Sequence, residues 1–155
     1  MFSYNYIIKN RGIDSELDYP YDIMGYDKKP PPIHPCNASK ASHHNVTISS
    51  FVHVAANSEP QLAAAIAKTP VTVAVSANKL WQHYKGGIMP PNWCPPPIKE
   101  NHMILVVGMA ADYYIVKNSW GEGWGEKGYV RMTRNATGTS GGLCGIASQA
   151  SYPVV

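Results

Sequence analysis

The stretches Asn101-His102-Met103-Ile104-Leu105-Val106-Val107-Gly108 and Tyr114-Ile115-Val116-Lys117-Asn118-Ser119-Trp120-Gly121 decide the fold. They contain two apolar runs of strand length, Met103 to Val107 and Tyr113 to Lys117, which a short turn separates. The pattern predicts two adjacent antiparallel strands, in which the start of the first lies near the end of the second. The histidine before the first run and the asparagine after the second should therefore be neighbours.

These two residues, His102 and Asn118, have the chemistry of a proton carrier and its orienting group. An amide oxygen that accepts from one ring nitrogen fixes the tautomer and leaves the other nitrogen free to take a proton. Trp120 would shield that hydrogen bond from water. The arrangement is two parts of a nucleophile–base–orienter triad. The alternative is a histidine at a strand edge and an asparagine in a turn, with no shared role.

The neighbouring sequence predicts further strands and one helix. Val71 to Val75 alternates with three valines on one face, and Tyr129 to Thr133 alternates again. Ser58-Glu59-Pro60-Gln61 forms a capping box that begins a helix, and Pro70 ends it. Phe2 to Asn10 is typical of the end of an amphipathic helix, with Gly12 as its stop. Short strands with hairpin-scale connections favour an antiparallel sheet or small barrel.

Composition argues against several classes of function. The 155 residues are 45% hydrophobic and 15% charged, so a packed core is expected. No apolar run approaches the ~20 residues that cross a bilayer, and we predict no membrane association. The net charge of +3 is spread along the chain, which argues against nucleic acid. No histidine spacing supports a metal site and no glycine motif supports a dinucleotide, so we predict no cofactor and no metal.

Cysteines and sequons indicate the compartment. The odd number of cysteines allows one pair and one residue that needs a partner or a free-thiol role: Cys36, Cys94 and Cys144. Three sequons begin at Asn37, Asn45 and Asn135. Together with possible disulfides, they favour a product of the secretory pathway, although the N-terminus carries no readable signal peptide.

The motifs resemble those of the papain-like cysteine proteases. The central match is Asn118-Ser119-Trp120-Gly121 with Trp124-Gly125 and Gly128-Tyr129, preceded by Asn101-His102. Other matches follow in order along the chain: Gly12-Ile13-Asp14-Ser15-Glu16, Tyr19-Pro20-Tyr21, Gly86-Gly87-Ile88, Leu143-Cys144-Gly145-Ile146 and Ser151-Tyr152-Pro153-Val154. The resemblance implies a papain-like α+β fold. Residues 1–45 would be a remnant of the helical left domain with a proline-rich loop, and residues 46–155 the antiparallel β-barrel right domain.

The resemblance also implies a role for each site residue. His102 and Asn118 would be the catalytic pair. Substrate contacts are implied for six residues: Trp120, Trp124, Ala74, Asn101, Met103 and Gln149. Of these, Trp124 would line the primed side of the cleft, Ala74 the pocket that selects the substrate's second residue, and Met103 would narrow that pocket. Cys94 and Cys144 match the family's disulfide, and Cys36 resembles a cysteine that pairs further upstream.

The family's nucleophile has no match in the sequence. Its motif, C-G-[SA]-C-[WY], precedes the histidine by roughly 130–150 residues, and counting back that far from His102 passes Met1. Cys36 lies in a proline-rich loop, whereas a catalytic thiolate favours a helix N-terminus and a nearby imidazolium. Cys94 and Cys144 are better used as a pair. We therefore expect the chain to supply the base and to lack the nucleophile.

The expected function is the C-terminal portion of a cysteine endopeptidase, inactive as this chain alone. Its partners would be a peptide or protein substrate, the family's protein inhibitors and an N-terminal fragment bridged through Cys36. Its location would be the lysosome, the vacuole or the extracellular space. The alternative is a non-catalytic pseudoprotease that binds peptides or a protein partner. A third possibility is a storage or defence protein that uses the fold structurally.

Overall fold

The computed structural model describes residues 2–21, 35–95, 97–135 and 141–155. Its elements are helices α1 (Phe2–Asn10) and α2 (Glu59–Ile66) and strands β1 (Ser50–His53), β2 (Val71–Val75), β3 (Ile88–Met89), β4 (His102–Met109), β5 (Tyr113–Lys117), β6 (Tyr129–Thr133) and β7 (Ala150–Val154). The chain divides into two compact units, Met1–Phe51 with Pro153–Val155, and Val52–Tyr152. Within the described ranges, no helix has the length and apolar character needed to cross a membrane.

The described strands form one sheet in the order β1-β7-β2-β4-β5-β6-β3. The pairs β2–β7, β2–β4, β4–β5 and β5–β6 are antiparallel, and β3–β6 is parallel. The α+β architecture predicted from the sequence is confirmed. The sheet is open and mixed, although mostly antiparallel, because the two-residue strand β3 runs in the same direction as β6.

Alternation along the central strands builds the core of the second unit. The inward side chains of these strands are fully or nearly fully buried: Val71, Val73, Val75, Ile104, Val106, Tyr114 and Val116. Burial of each such side chain contributes about 1.5–3 kcal/mol. Strand β4 is longer than predicted because its pairing with β2 already begins at His102, and its pairing with β5 continues to Met109.

Both predicted helices are present. The α2 helix begins after Ser58, whose side chain accepts from the backbone N–H of Gln61 at 3.4 Å, as the capping motif predicts. At the end of α1 both Arg11, with φ 60°, and Gly12, with φ 149°, have a positive φ. A Cβ on Gly12 would also lie 2.7 Å from the Cβ of His44, so this position favours glycine.

Candidate active site

A histidine–asparagine pair lies where β4 begins and β5 ends. His102 is the first residue of β4, and Asn118 directly follows β5. The Nε2 atom of His102 is 2.8 Å from Oδ1 of Asn118. Because an amide oxygen only accepts, Nε2 carries the proton and Nδ1 remains available for proton transfer. The predicted proximity of the two residues is confirmed.

The oxygen of Asn118 is held firmly in place. Asn118 is 8% exposed, and its Oδ1 also accepts from the backbone N–H of Ser119 at 2.8 Å. Its own backbone N–H donates to the carbonyl of Gly128 at 2.9 Å. Its Nδ2 is buried and has no hydrogen-bond partner among the described residues, an arrangement that costs about 1–3 kcal/mol. The orientation of the Asn118 amide therefore provides His102 with an acceptor and leaves Nδ2 of Asn118 without a partner among the described residues.

Trp120 covers one face of the imidazole. Its ring stacks on His102 with centroids 5.1 Å apart and an interplanar angle of 30°. The rings of Trp81 and Trp124 contact it edge-on, with centroids 6.5 Å and 5.2 Å away. Trp120 itself is 39% exposed. This position is compatible with the predicted shielding of the histidine, which stays a prediction.

Trp124 lies beneath this surface. It is 9% exposed, and its indole N–H donates to the carbonyl of Trp81 at 2.8 Å. The next residue, Gly125, has φ 57°, and a Cβ there would lie 2.6 Å from the carbonyl oxygen of Tyr129. The backbone at Gly125 is therefore tightly packed, and Trp124 contacts Trp120 from the buried side. Its direct contact with substrate stays a prediction.

Met103 and Gln149 flank Ala74 from its two sides, because β2 lies between β4 and β7 in the sheet. Ala74 and Met103 are opposite each other in the β2–β4 pairing, and the backbone N–H of Ala74 donates to the carbonyl of Gln149 at 3.0 Å. Ala74 is buried, whereas the side chain of Met103 is 56% exposed and Gln149 is exposed. The side chain of Met103, which is next to His102, therefore projects toward solvent. Binding of substrate by these residues stays a prediction.

Asn101 extends the β2–β4 pairing beyond the last paired residues. Its Oδ1 accepts from the backbone N–H of Ala77 at 2.8 Å, and its Nδ2 donates to the carbonyl of Ala77 at 2.9 Å. Its backbone N–H donates to the carbonyl of Val75 at 3.0 Å. Asn101 therefore fixes the backbone that leads into His102. Its predicted contact with substrate is not tested by these bonds.

A cavity of about 360 Å³ opens beside His102. We call it the Lys79 cavity, and it is lined by Ala77, Asn78, Lys79, Gln82, Asn101, His102 and Trp120. Sequence reasoning missed Asn78, Lys79 and Gln82, which lie at or within the short 3-10 helix Lys79–His83. No periodic signal marks such a turn, so nothing in the sequence indicated that it faces the histidine.

Comparison with known proteins identifies the family. A model described as papain family cysteine protease matches residues 1–154. The chain belongs to this family. It is 41% identical over 157 residues to cysteine endopeptidase RepA of Oryza sativa subsp. japonica, and 39% identical over 158 residues to germination-specific cysteine protease 1 of Arabidopsis thaliana. Each alignment covers 99% of this chain and 39% of the relative, so the chain spans about two fifths of the length of these relatives.

Solved structures of papain-family proteases share the fold. The bromelain protease of Ananas comosus, in complex with the E64 inhibitor, matches with a TM-score of 0.82 at 34% identity, covering 99% of this chain and 67% of that one. The cysteine protease CMS1MS2 of Carica candamarcensis, in complex with E-64, matches with a TM-score of 0.83 at 34% identity, covering 99% and 66%. The resemblance found in the sequence is confirmed.

The cysteines of this papain-family chain take different roles. Cys94 and Cys144 form a disulfide with a Cα–Cα distance of 5.0 Å, and both are buried, which confirms the implied pairing. Cys36 is exposed and has no disulfide partner among the described residues. In the same ranges, no group of three or more potential metal ligands is gathered. The partner predicted for Cys36 stays a prediction.

An ion pair stabilises the loop that carries Trp124. Arg131 donates to both carboxylate oxygens of Glu126, at distances down to 2.6 Å, and the backbone N–H of Gly87 donates to Oε1 at 3.1 Å. The hydrogen bonds from Arg131 lower the pKa of Glu126. The same bonds raise the pKa of Arg131, so both groups are charged at neutral pH.

Proposed function

We propose that this chain is the C-terminal portion of a papain-family cysteine endopeptidase, and that it supplies the general acid–base residue and its orienting group. The observation that carries the proposal is the 2.8 Å hydrogen bond between His102 Nε2 and Asn118 Oδ1. This bond leaves Nδ1 as the nitrogen for proton transfer. Substrates are peptide bonds in peptides or proteins, and no cofactor takes part.

The proposed reaction is acyl transfer through a thiol. His102 takes the proton of the cysteine thiol, and the resulting thiolate attacks the peptide carbonyl carbon. The imidazolium then gives its proton to the leaving amine, which departs from the acyl-enzyme. In deacylation His102 takes a proton from the attacking water. The imidazolium then gives this proton to the departing thiolate as the acid product is released. Asn118 holds the ring in one orientation throughout.

The thiol is the component that the 155 residues do not provide. No segment matches the family motif for the nucleophile, and Cys94 and Cys144 are joined in a disulfide. We therefore expect no peptide hydrolysis by this chain alone. In the proposed enzyme Ala74, Met103 and Gln149 contact the substrate, and Trp124 packs against Trp120, whose ring stacks on His102.

Hydrolysis of a fluorogenic peptide tests the proposal. The chain is assayed alone and joined to the nucleophile-bearing segment of the rice relative RepA. We expect activity only in the joined protein, a loss of about 10²–10⁴-fold in kcat with His102→Ala, and a smaller loss with Asn118→Ala. His83→Ala, which changes an exposed histidine of the same unit, is the control. Activity of the joined protein that survives His102→Ala would contradict the proposal.

A second candidate is a non-catalytic relative that binds peptides or a protein partner. The observation that favours it is the lack of any segment in the printed sequence that matches the family motif for the nucleophile. The same joined protein separates the two candidates. A pseudoprotease would bind peptide at His102 and Trp120 without hydrolysing it, even when a reactive thiol is supplied.

The proposed location is the secretory pathway, ending in the lysosome, the vacuole or the extracellular space. The asparagines of the three sequons, Asn37, Asn45 and Asn135, are exposed, as is Cys36. The intact mass of native material, measured without and with reductant, tests whether Cys36 bridges to an N-terminal fragment. Release of a second chain on reduction supports the bridge, and a single chain in both measurements contradicts it.

A further inference from the structure

The Lys79 cavity contains a positive charge and no negative one. Its lining includes one lysine, three amide side chains and the imidazole of His102, and no described aspartate or glutamate. The nearby carboxylate of Glu100 accepts from the hydroxyl of Ser148 at 2.6 Å and is not part of the lining. A ligand that enters this cavity therefore meets hydrogen-bond donors and the positively charged ammonium group of Lys79.

Two of the three amides are already committed to the protein. Asn101 exchanges two hydrogen bonds with the backbone of Ala77. Asn78 accepts from the backbone N–H of Leu80 at 2.9 Å and donates to the carbonyl of Trp93 at 2.6 Å. These bonds make the wall rigid, because each amide is fixed to backbone on both of its polar atoms.

The remaining polar groups are available to a ligand. Within the described part of the chain, no hydrogen bond or ion pair holds the side chain of Lys79 or Gln82, and both are exposed. The Nδ1 atom of His102 also remains unused, since Nε2 is bound to Asn118. An ammonium group and an amide N–H₂ among the lining residues of one concave site favour a carboxylate, through charge-assisted hydrogen bonds.

We infer that Lys79 makes this cavity select an acidic substrate side chain, the aspartate or glutamate that immediately follows the cleaved bond. The inference rests on the proposed function. In that reaction His102 protonates the leaving amine, so the residue that carries this amine lies next to the imidazole. His102 and Trp120 form part of the lining of the Lys79 cavity. A side chain that occupies this cavity is therefore a neighbour of the leaving amine. Lys79 determines specificity and takes no part in the chemistry.

Peptide binding to the 155-residue chain tests this inference without requiring turnover. Acetyl-Ala-Asp-amide and the near-isosteric acetyl-Ala-Asn-amide are titrated separately, while NMR follows the His102 ring protons and the Trp120 indole N–H. We expect Kd to be about threefold to fivefold lower for the acidic peptide at low salt, the range of an exposed ion pair. Salt should reduce this difference.

Two substitutions assign the effect to the cavity. Lys79→Met keeps the length of the side chain and should bring the two Kd values together. Gln82→Glu adds a carboxylate to the same wall and should favour the neutral peptide. The matched control is Lys68→Met, which removes a lysine that lines a different cavity of the same unit and should keep the preference.

The outcomes separate the inference from the function on which it rests. Equal Kd values in the unmodified chain, or a preference that survives Lys79→Met, would overturn the selectivity and leave the proposed protease function intact. If neither peptide perturbs His102 or Trp120, the selectivity is overturned, whereas the proposed protease function is decided separately by hydrolysis in the joined protein. A preference that disappears with Lys79→Met and inverts with Gln82→Glu supports the inference.

Discussion

The indole of Trp120 lies flat against the imidazole of His102, with an interplanar angle of 30°. The stacking covers one face of the imidazole, and Asn118, the partner of His102, is buried. A hydrogen bond that is kept from water is electrostatically stronger than an exposed one. We therefore expect the partly exposed Trp120, as well as Asn118, to protect this hydrogen bond from water.

We predict that Trp120→Ala accelerates exchange of the His102 Nε2 proton with water by about tenfold or more, because the covering plane is lost. NMR of the ring N–H measures the exchange rate. Trp120→Phe keeps a stacked ring and should remain close to the unmodified chain. Unchanged exchange in Trp120→Ala would show that the indole does not exclude water from the pair.

The pair Glu126–Arg131 predicts a pH dependence of stability. Its hydrogen bonds lower the pKa of Glu126 below the ordinary value of 4.5. The stabilisation is therefore fully present above that value and is lost as pH falls through the folded-state pKa. Glu126→Gln should lower the unfolding free energy at neutral pH, with a difference that shrinks in acid. Urea unfolding at several pH values measures it.

Glu122→Gln is the matched control for this prediction. Glu122 is an exposed carboxylate of the same loop, and no ion pair holds it within the described ranges. We expect its substitution to leave the pH dependence unchanged. An equal effect of the two substitutions would mean that net charge, and not the contact with Arg131, is responsible.

The disulfide should account for a large share of the stability of the second unit. Cys94 and Cys144 are separated by 50 residues in the sequence. For a closed loop of this size, the chain-entropy model gives a cost of about 4 kcal/mol when the bridge is removed. The Cys94→Ala/Cys144→Ala double variant, followed by urea unfolding, measures this cost. Cys36→Ser should leave the unfolding free energy nearly unchanged, since Cys36 has no bridge in the described structure.

Gly125 is predicted to be intolerant of any side chain. Its φ of 57° and the 2.6 Å approach of a Cβ to the carbonyl of Tyr129 both oppose substitution. Gly125→Ala should cost about 1–3 kcal/mol of unfolding free energy. Gly123→Ala is the control, because a Cβ at Gly123 meets nothing within 4 Å. If thermal unfolding shifts equally for both variants, the predicted clash does not exist.

The strands and the histidine–asparagine pair could be predicted from the sequence because both depend on local pattern. Alternating apolar residues predicted β2, β5 and β6, and antiparallel geometry then placed His102 beside Asn118. The pattern of buried apolar residues and the short connections between strands determine these features, and little tertiary information is needed to predict them.

Other features depend on tertiary contacts that no local pattern records. The parallel pairing of β3 involves two residues, too few for a periodic signal. Lys79 and Gln82 line the cavity because they belong to a short 3-10 helix, and Asn101 hydrogen-bonds the backbone of Ala77. The positive φ of Arg11 after α1 is likewise a feature that no local pattern predicts for an arginine.

The disulfide between Cys94 and Cys144 also limits the effect of a single proteolytic cut in the backbone. His102 and Asn118 both lie within the ring of chain that this bond closes. One cut in the backbone anywhere between residues 95 and 143 opens this ring into two segments, which the disulfide keeps covalently joined. Both members of the pair then stay attached to the protein. After a single cut, survival of the site therefore requires only that the cleaved chain stays folded, since no fragment bearing either residue can diffuse away.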